Sequence, residues 1–84
     1  MKRINNLTSI NSGDYIKARH NKEFIVFKVL QSVNYLTYAN AIILDTNIES
    51  LKELIGKEEY FNRNFYKSFK FYRLNKFESW LYML

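Results

Sequence analysis

The chain of 84 residues has no cysteine and no proline, and it has only two glycines and one histidine. Without cysteine, disulfide bonds and thiolate zinc sites are excluded. Two glycines are too few for a phosphate-binding P-loop or a dinucleotide-binding fingerprint. A lone histidine argues against a transition-metal site, which needs several nitrogen or sulfur ligands. We therefore expect neither a metal nor a cofactor.

Long apolar runs are also lacking. The longest, residues 24–27 and 41–44, are far shorter than the roughly 20 residues of a transmembrane helix. The N-terminal residues include Lys2 and Arg3 but not the continuous apolar stretch of a signal peptide. No proline-rich or glycine-rich linker divides the chain. These absences predict a single domain over residues 1–84, a cytoplasmic location and no membrane partner.

Motifs for catalysis are missing as well. No serine lies in a glycine-rich nucleophile elbow. His20 is predicted in an exposed hairpin turn, where Asp14 and Glu23 are the nearest acids in the sequence. Asp14, Asp45 and Glu49 are better explained as turn and cap residues than as magnesium ligands. We expect a protein that is not an enzyme. The alternative is a small ribonuclease that works with tyrosine, lysine and arginine alone.

Aromatic and basic residues are what the chain has in excess. It contains seven Phe, seven Tyr and one Trp, and its net charge is +5. Residues 60–73, YFNRNFYKSFKFYR, hold seven rings and four cations and no acid. Rings interleaved with cations are typical of surfaces that bind single-stranded nucleic acid, because rings stack on bases while cations meet phosphates. This tract predicts a nucleic-acid-binding surface.

The alternation within this tract divides it into two faces. Residues 66–74 predict a strand with Phe69 and Phe71 facing the core and Tyr66, Lys70 and Tyr72 exposed. The candidate nucleic-acid-binding residues are Lys17, Arg19, Arg63, Tyr66, Lys67, Lys70, Tyr72 and Arg73. Two other interpretations stay open: the tyrosines pack in the core beneath the terminal helix, or the cations only keep the protein soluble.

Three strands are predicted in the first half of the chain. Residues 15–19, 24–33 and 36–45 are rich in β-branched and aromatic side chains, and short turns at 12–14, 21–22 and 33–35 separate them. Such spacing predicts an antiparallel meander. The sequence Gly13-Asp14-Tyr15-Ile16, followed by a long apolar strand, resembles the opening of many SH3-like barrels. The resemblance covers these few residues and implies a strongly bent sheet.

Helices are predicted in three places. Thr46 and Glu49 have the spacing of a capping box, and the apolar stripe after them predicts a helix that ends at Gly56. Residues 57–65 predict a second short helical turn. Asn75 and Glu78 predict the cap of a terminal helix. Residues 4, 7 and 10 are apolar and predict either a short helix or an arm across the core. The expected fold is therefore α+β, a small, strongly bent antiparallel sheet (an SH3-like partial barrel) with the order βββαβα.

The predicted function is a non-enzymatic binding module for nucleic acid or for a protein–nucleic acid complex. The alternative is an inhibitor or adaptor of the anti-CRISPR or anti-restriction type, encoded by a phage or mobile element, that binds a host protein. About half of the chain consists of residues with A/T-rich codons, as in many such elements. The possible interface residues are Phe77, Trp80, Leu81 and Leu84. This stripe packs in the core or, if uncovered, binds a partner or forms a homodimer.

Overall fold

The computed structural model describes residues 1–4, 10–33, 38–62 and 67–82. Six strands form one sheet in the order β1-β6-β2-β3-β4-β5, and every pairing is antiparallel. The strands are β1 (Lys2–Arg3), β2 (Tyr15–His20), β3 (Glu23–Val33), β4 (Tyr38–Thr46), β5 (Glu58–Asn62) and β6 (Lys70–Arg73). A 3₁₀ helix (Glu49–Leu54) joins β4 to β5, and α1 (Lys76–Trp80) follows β6. The described part is thus mostly antiparallel sheet with few helices. The closer likeness to an SH3-like barrel stays a prediction.

The predicted β2–β3 hairpin is confirmed. His20 pairs with Glu23, so Asn21 and Lys22 form a two-residue turn. Asn21 adopts a positive φ of 55°, a conformation that asparagine tolerates better than most residues. Gly13, just before β2, turns the chain with a φ of 92°. Local turn chemistry is therefore sufficient to start and join these two strands.

The hydrophobic core lies on one side of the sheet, here called the inner face. Alternate residues of neighbouring strands pair on this face, and nine core residues are each less than 10% exposed: Ile10, Ile16, Ala18, Ile25, Phe27, Val29, Ala41, Ile43 and Phe61. The rings of Phe27 and Phe61 stack with their centroids 4.5 Å apart. Apolar side chains of the 3₁₀ helix pack against this cluster, as do Phe69 and Phe71. The inward direction predicted for these two phenylalanines is confirmed.

The helix predicted after Thr46 is a 3₁₀ helix without the predicted capping box. Ile48 occupies the cap position and gives no side-chain cap. The Thr46 hydroxyl instead donates to the carbonyl of Phe24 at 2.8 Å and accepts from the Ile48 amide at 3.1 Å. Thr46 is thereby held at the end of β4. The predicted left-handed conformation of Gly56 is confirmed, with a φ of 86°.

The helical turn predicted over residues 57–65 is wrong where the structure describes it. Residues 58–62 form β5, which pairs with the free edge of β4. Pairing with the edge of β4 gives β5 a ladder of backbone hydrogen bonds, whereas a short isolated helical turn must first form a costly nucleus. Phe61 points inward from β5 and completes the core. Residues 63–65 lie outside the described part of the chain.

The last predicted strand and helix are present but shorter. Strand β6 covers four residues, and residues 67–69 form a turn before it. The Asn75 side chain accepts from the Glu78 amide at 2.8 Å, and the Glu78 side chain accepts from the Asn75 amide at 2.9 Å, so the predicted capping box is confirmed. Helix α1 ends at Trp80.

The N-terminal segment is described only at its two ends. Residues 2–3 form β1, and Ile4 and Ile10 both pack against the core. Of the turn predicted over residues 33–35, Val33 belongs to β3, whereas residues 34–35, like Leu7 and Leu84, lie outside the described residues. None of the helices in the described ranges is both long and apolar enough to cross a bilayer.

Candidate nucleic-acid interface

The sheet's second side, here called the outer face, carries cations and aromatic rings beside a few aliphatic side chains such as Val26. Strand β6 lies between β1 and β2, so Tyr72 pairs opposite Lys17 and Lys70 opposite Arg19. Side chains opposite each other in an antiparallel pair lie on the same face. The outer face therefore joins Lys17 and Arg19 of β2 to Lys70 and Tyr72 of β6, across more than 50 residues of sequence.

Three cation–π contacts cross this face. The Lys17 ammonium lies 4.8 Å from the Phe24 ring centroid. The Arg19 guanidinium lies 5.7 Å from the Tyr72 ring, and the Lys28 ammonium 5.6 Å from the Tyr15 ring. All three rings are half-buried. The cations thus lie over the rings and hold them in place, at about 0.5–1 kcal/mol per contact in exposed positions.

The C-terminal segment begins beside the first residue of β2. The amide of Leu74 donates to the carbonyl of Tyr15 at 2.9 Å. Glu78 then pairs with the amino group of Met1 at 2.7 Å. The backbone of Asn75 lowers the pKa of Glu78 most, the Met1 amino group adds to this, and Lys17 contributes a smaller part. Helix α1 therefore starts over the Tyr15–Lys17 end of β2.

The same segment continues towards β4. Ser79 is buried, and Val26 is fully buried although it pairs with Lys17 and so lies on the outer face. Burial raises the pKa of Tyr82, and the nearby Asp45 carboxylate raises it further. Asp45 pairs with Val26, so Tyr82 has reached the β4 side. The C-terminal segment thus covers one half of the outer face.

The other half of the outer face is open and contains a cleft of about 260 Å³. The cleft lies where the β2–β3 turn meets the turn before β6, and it is lined by Arg19, His20, Asn21, Ser68, Lys70 and Tyr72. These described lining residues include two cations and no acid. Guanidinium, ammonium, hydroxyl, amide and imidazole groups can all donate hydrogen bonds. The chemistry of this polar cleft fits an anion beside an aromatic ring.

The structure brings four of the predicted site residues together. Lys17, Arg19, Lys70 and Tyr72 share the outer face, although Lys17 lies towards the half that α1 covers. Lys67 is exposed in the turn before β6. Arg63 and Tyr66 lie outside the described residues.

Arg73 is placed apart from the cluster. It pairs opposite Ile16, on the inner side of the sheet, because successive side chains of a strand point to opposite faces. Its guanidinium contacts the Asp14 carboxylate at 3.2 Å. A cation already paired with a carboxylate is a poor phosphate ligand. The alternation of β6 therefore separates Arg73 from Lys70 and Tyr72.

Three residues of the cleft lining, His20, Asn21 and Ser68, were not among the residues predicted from the sequence; His20 is the one whose predicted environment was wrong. The predicted exposed turn residue is instead half-buried. Its ring centroid lies 5.4 Å from that of Phe69, and its Nε2 lies 3.5 Å from the Asn21 amide nitrogen. The pairing of β6 with β2 brings Phe69 and Ser68 beside this hairpin. No local pattern in the sequence predicts the pairing of β6 with β2.

The terminal stripe is exposed rather than in the core. Phe77, Trp80 and Leu81 are 88%, 70% and 68% exposed. We call these three residues the terminal apolar patch. Tyr72 is half-buried and pairs opposite Lys17, and the interpretation that it packs beneath the terminal helix stays open. Uncovered apolar patches commonly mark interaction surfaces.

Comparison with protein-family models, with curated proteins and with solved structures found no significant match. The fold and the outer face define a small antiparallel-sheet protein with a basic, aromatic cleft. Across the described residues, no group of three or more His, Asp or Glu side chains is placed to hold a metal ion.

Proposed function

We propose that this protein is a non-enzymatic nucleic-acid-binding module that uses the open half of its outer face. One observation carries the proposal. Arg19 and Lys70 stand beside Tyr72 in a polar cleft whose described lining contains no acid. The cytoplasmic location expected from the sequence is part of the proposal, as is the absence of catalysis.

The ring at this site is suited to receive a base. Arg19 already lies over Tyr72 at 5.7 Å, so a stacking base competes with the guanidinium for the ring. Base stacking contributes about 1–3 kcal/mol per base, whereas an exposed cation–π contact contributes about 0.5–1 kcal/mol. Base stacking is therefore the stronger interaction and displaces the Arg19 guanidinium from the Tyr72 ring. The displaced guanidinium becomes available to a phosphate.

The distribution of charge supports the same surface. Two nearby acids form ion pairs, Glu78 with the Met1 amino group and Asp14 with Arg73. A third, Asp45, pairs opposite Val26 on the β4 side of the outer face, away from the cleft lining. The protein carries a net charge of +5. The electrostatic field of this positive charge attracts polyanions and speeds their association with the protein.

The first test measures the affinity for nucleic acid as a function of salt. Labelled single- and double-stranded DNA and RNA are titrated by fluorescence anisotropy at several salt concentrations. We expect the logarithm of the association constant to fall linearly with the logarithm of salt, and Lys70→Gln to reduce the slope by about 0.7 for a single strand. Absence of binding to every strand at low salt would refute the proposal.

The second test addresses the ring. We expect Tyr72→Ala to weaken single-strand binding by about 5- to 100-fold, the equivalent of one lost stack, with little change in thermal stability. Tyr60→Ala is the matched control, because Tyr60 is 59% exposed and lies on β5 at the opposite edge of the sheet. If Tyr72→Ala unfolds the domain, the ring belongs to the core and the site assignment fails.

The terminal apolar patch favours a second candidate function, binding to a host protein as an inhibitor or adaptor from a phage or mobile element. Its rings are exposed on a helix whose other side covers the sheet. This function predicts one stoichiometric partner and little affinity for free nucleic acid. Size-exclusion chromatography with light scattering tests the related homodimer: a dimer that becomes a monomer in Phe77→Ser/Trp80→Ser assigns the patch to self-association.

A further inference from the structure

The position and the small volume of the polar cleft suit a ligand of limited size. The cleft lies at one end of the sheet, where the β2–β3 turn and residues 67–69 meet. Its volume of about 260 Å³ is slightly below the ~300–1,000 Å³ of typical small-molecule sites. That space fits a single nucleotide unit. A duplex, whose phosphates lie on a convex cylinder, would meet the rim of such a cleft and not its interior.

The charge of the cleft exceeds what one phosphodiester needs. Arg19 and Lys70 contribute two positive charges, and Ser68, Asn21 and His20 contribute neutral donors. A phosphomonoester carries a charge of about −1.5 to −2 at pH 7 and has three strong acceptor oxygens. A phosphodiester within a chain carries only a single negative charge. Two cations without a carboxylate among the described lining residues therefore favour the monoester.

The nearest acid in the hairpin does not cancel this charge. Glu23 pairs opposite His20 across the two-residue turn, but its side chain is exposed and does not line the cleft. Tyr72 lies at the inner end of the same lining. One ligand can thus place its phosphate between the cations and its base against the ring.

We propose that this cleft binds the terminal phosphomonoester of a single nucleic-acid strand, with Arg19 and Lys70 on the phosphate and Tyr72 against the adjoining base. The proposal rests on the proposed function and names its ligand. Arginine presents a planar fork to phosphate oxygens, and lysine acts as a point charge beside it. Ser68 and Asn21 supply the remaining hydrogen bonds.

The experiment compares ten-nucleotide RNA and DNA strands in three forms: with a 5′-phosphate, with a 3′-phosphate, and with neither. We expect one phosphorylated form to bind about tenfold more tightly than the unphosphorylated strand, the effect of one charge-assisted contact. The two phosphorylated strands distinguish the 5′ end from the 3′ end. Inorganic phosphate as a competitor should abolish the preference before it abolishes binding.

Matched variants assign the preference to the cleft. Lys70→Gln and Arg19→Gln should each reduce it to less than threefold. Lys57→Gln makes the same change in net charge at an exposed residue before β5 and should leave it intact. Ser68→Ala, a minimal change in an exposed turn, should reduce the preference without affecting the fold. Circular dichroism of each variant confirms that the comparison is made between folded proteins.

The possible results distinguish the terminal-phosphate site from the more general nucleic-acid-binding function. Equal affinity for all three forms overturns the terminal-phosphate site and leaves the nucleic-acid module standing. Failure of every strand to bind at low salt overturns both. A preference that falls equally in Lys57→Gln and Lys70→Gln reports net charge alone, and it also overturns the site.

Discussion

The two faces of one sheet differ in what their side chains do, although they are built from the same strands. On β3, Ile25 faces inward and is fully buried, whereas its neighbour Phe24 faces outward beneath the Lys17 ammonium. On β6, Phe71 packs against the core and Tyr72 lies under Arg19. Along these strands, alternate residues thus serve the core on one face and the proposed binding surface on the other. We therefore expect substitutions at neighbouring positions to differ in effect: those on the inner face should lower the stability, and those on the open outer face should lower the affinity for nucleic acid.

The outer face is itself divided. Its α1 half buries Val26 completely, and its open half contains the polar cleft. Covering this half removes Val26 and Ser79 from solvent, and such burial matters in a small domain, which has limited apolar surface to bury. The open half carries Arg19 and Lys70 in its cleft.

The largest expected effect is a loss of stability on the inner face, and it tests whether the two faces differ. We expect Ile25→Ala to lower the free energy of unfolding by about 2–5 kcal/mol, since it leaves a cavity in a fully buried site. Phe24→Ala should cost less than half as much, because its half-buried ring borders solvent. Urea denaturation of both variants measures the difference. Equal losses would mean that the outer face is as much a core as the inner one.

A smaller effect is expected at the cap of α1. Asn75→Ala removes the side-chain acceptor of the Glu78 amide and should cost about 0.5–2 kcal/mol. Asn75→Asp, which keeps the acceptor, is the matched control and should cost little. Thermal denaturation measures both. If the alanine and aspartate variants are equally stable, α1 does not contribute to the covered half in the way that its contacts indicate.

Acid titration should show a still smaller effect at Glu78. Its pKa is lowered in the folded state, chiefly by the Asn75 backbone and then by the Met1 amino group. Glu78 therefore stabilises the fold above its ordinary pKa of 4.5, and this contribution disappears as pH falls through the folded value. The urea midpoint of Glu78→Gln should converge with that of the unmodified protein as pH falls from 7 to 3. A constant difference over this range contradicts the assignment.

At Tyr82 we expect the opposite pH dependence, a loss of stability as the pH rises. Burial and then Asp45 raise its pKa above the ordinary value of 10.0. The stabilisation is complete below pH 10 and is lost as pH rises through the folded value, because the unfolded state releases the proton first. Tyr82→Phe, which cannot ionise, should lose less stability between pH 9 and 11. An identical pH dependence would place Tyr82 away from the covered half.

Much of the fold follows from local signals. Alternation and β-branched content located β2, β3 and β4 to within a few residues, since a strand with one buried face repeats every two residues. The turn at Asn21 and the capping box at Asn75 depend on groups within three residues of each other. The Thr46 capping box failed because its hydroxyl found a partner on β3, 22 residues away.

The candidate site was predicted in part. Grouping Lys70 with Tyr72 needed only the period of a strand, and grouping them with Arg19 needed the supposition that two strands are adjacent. Arg73 is not part of the site because it pairs with Asp14, and His20 is part of it because it lines the cleft. Both outcomes depend on the register of β6, which the sequence does not encode locally. A shift of one residue would have exchanged the two faces of that strand.

The sequence by itself determined the composition of the two faces: which strands exist, which residues alternate, and that the chain is basic and aromatic with no cysteine. These properties depend on neighbours in the chain, whose geometry is set by backbone sterics and side-chain period. Only the tertiary structure decided that β6 lies between β1 and β2, that β5 replaces a helical turn, and that α1 covers half of a face and leaves a cleft. Those outcomes depend on long-range pairing and competition for burial, which no short segment of sequence contains.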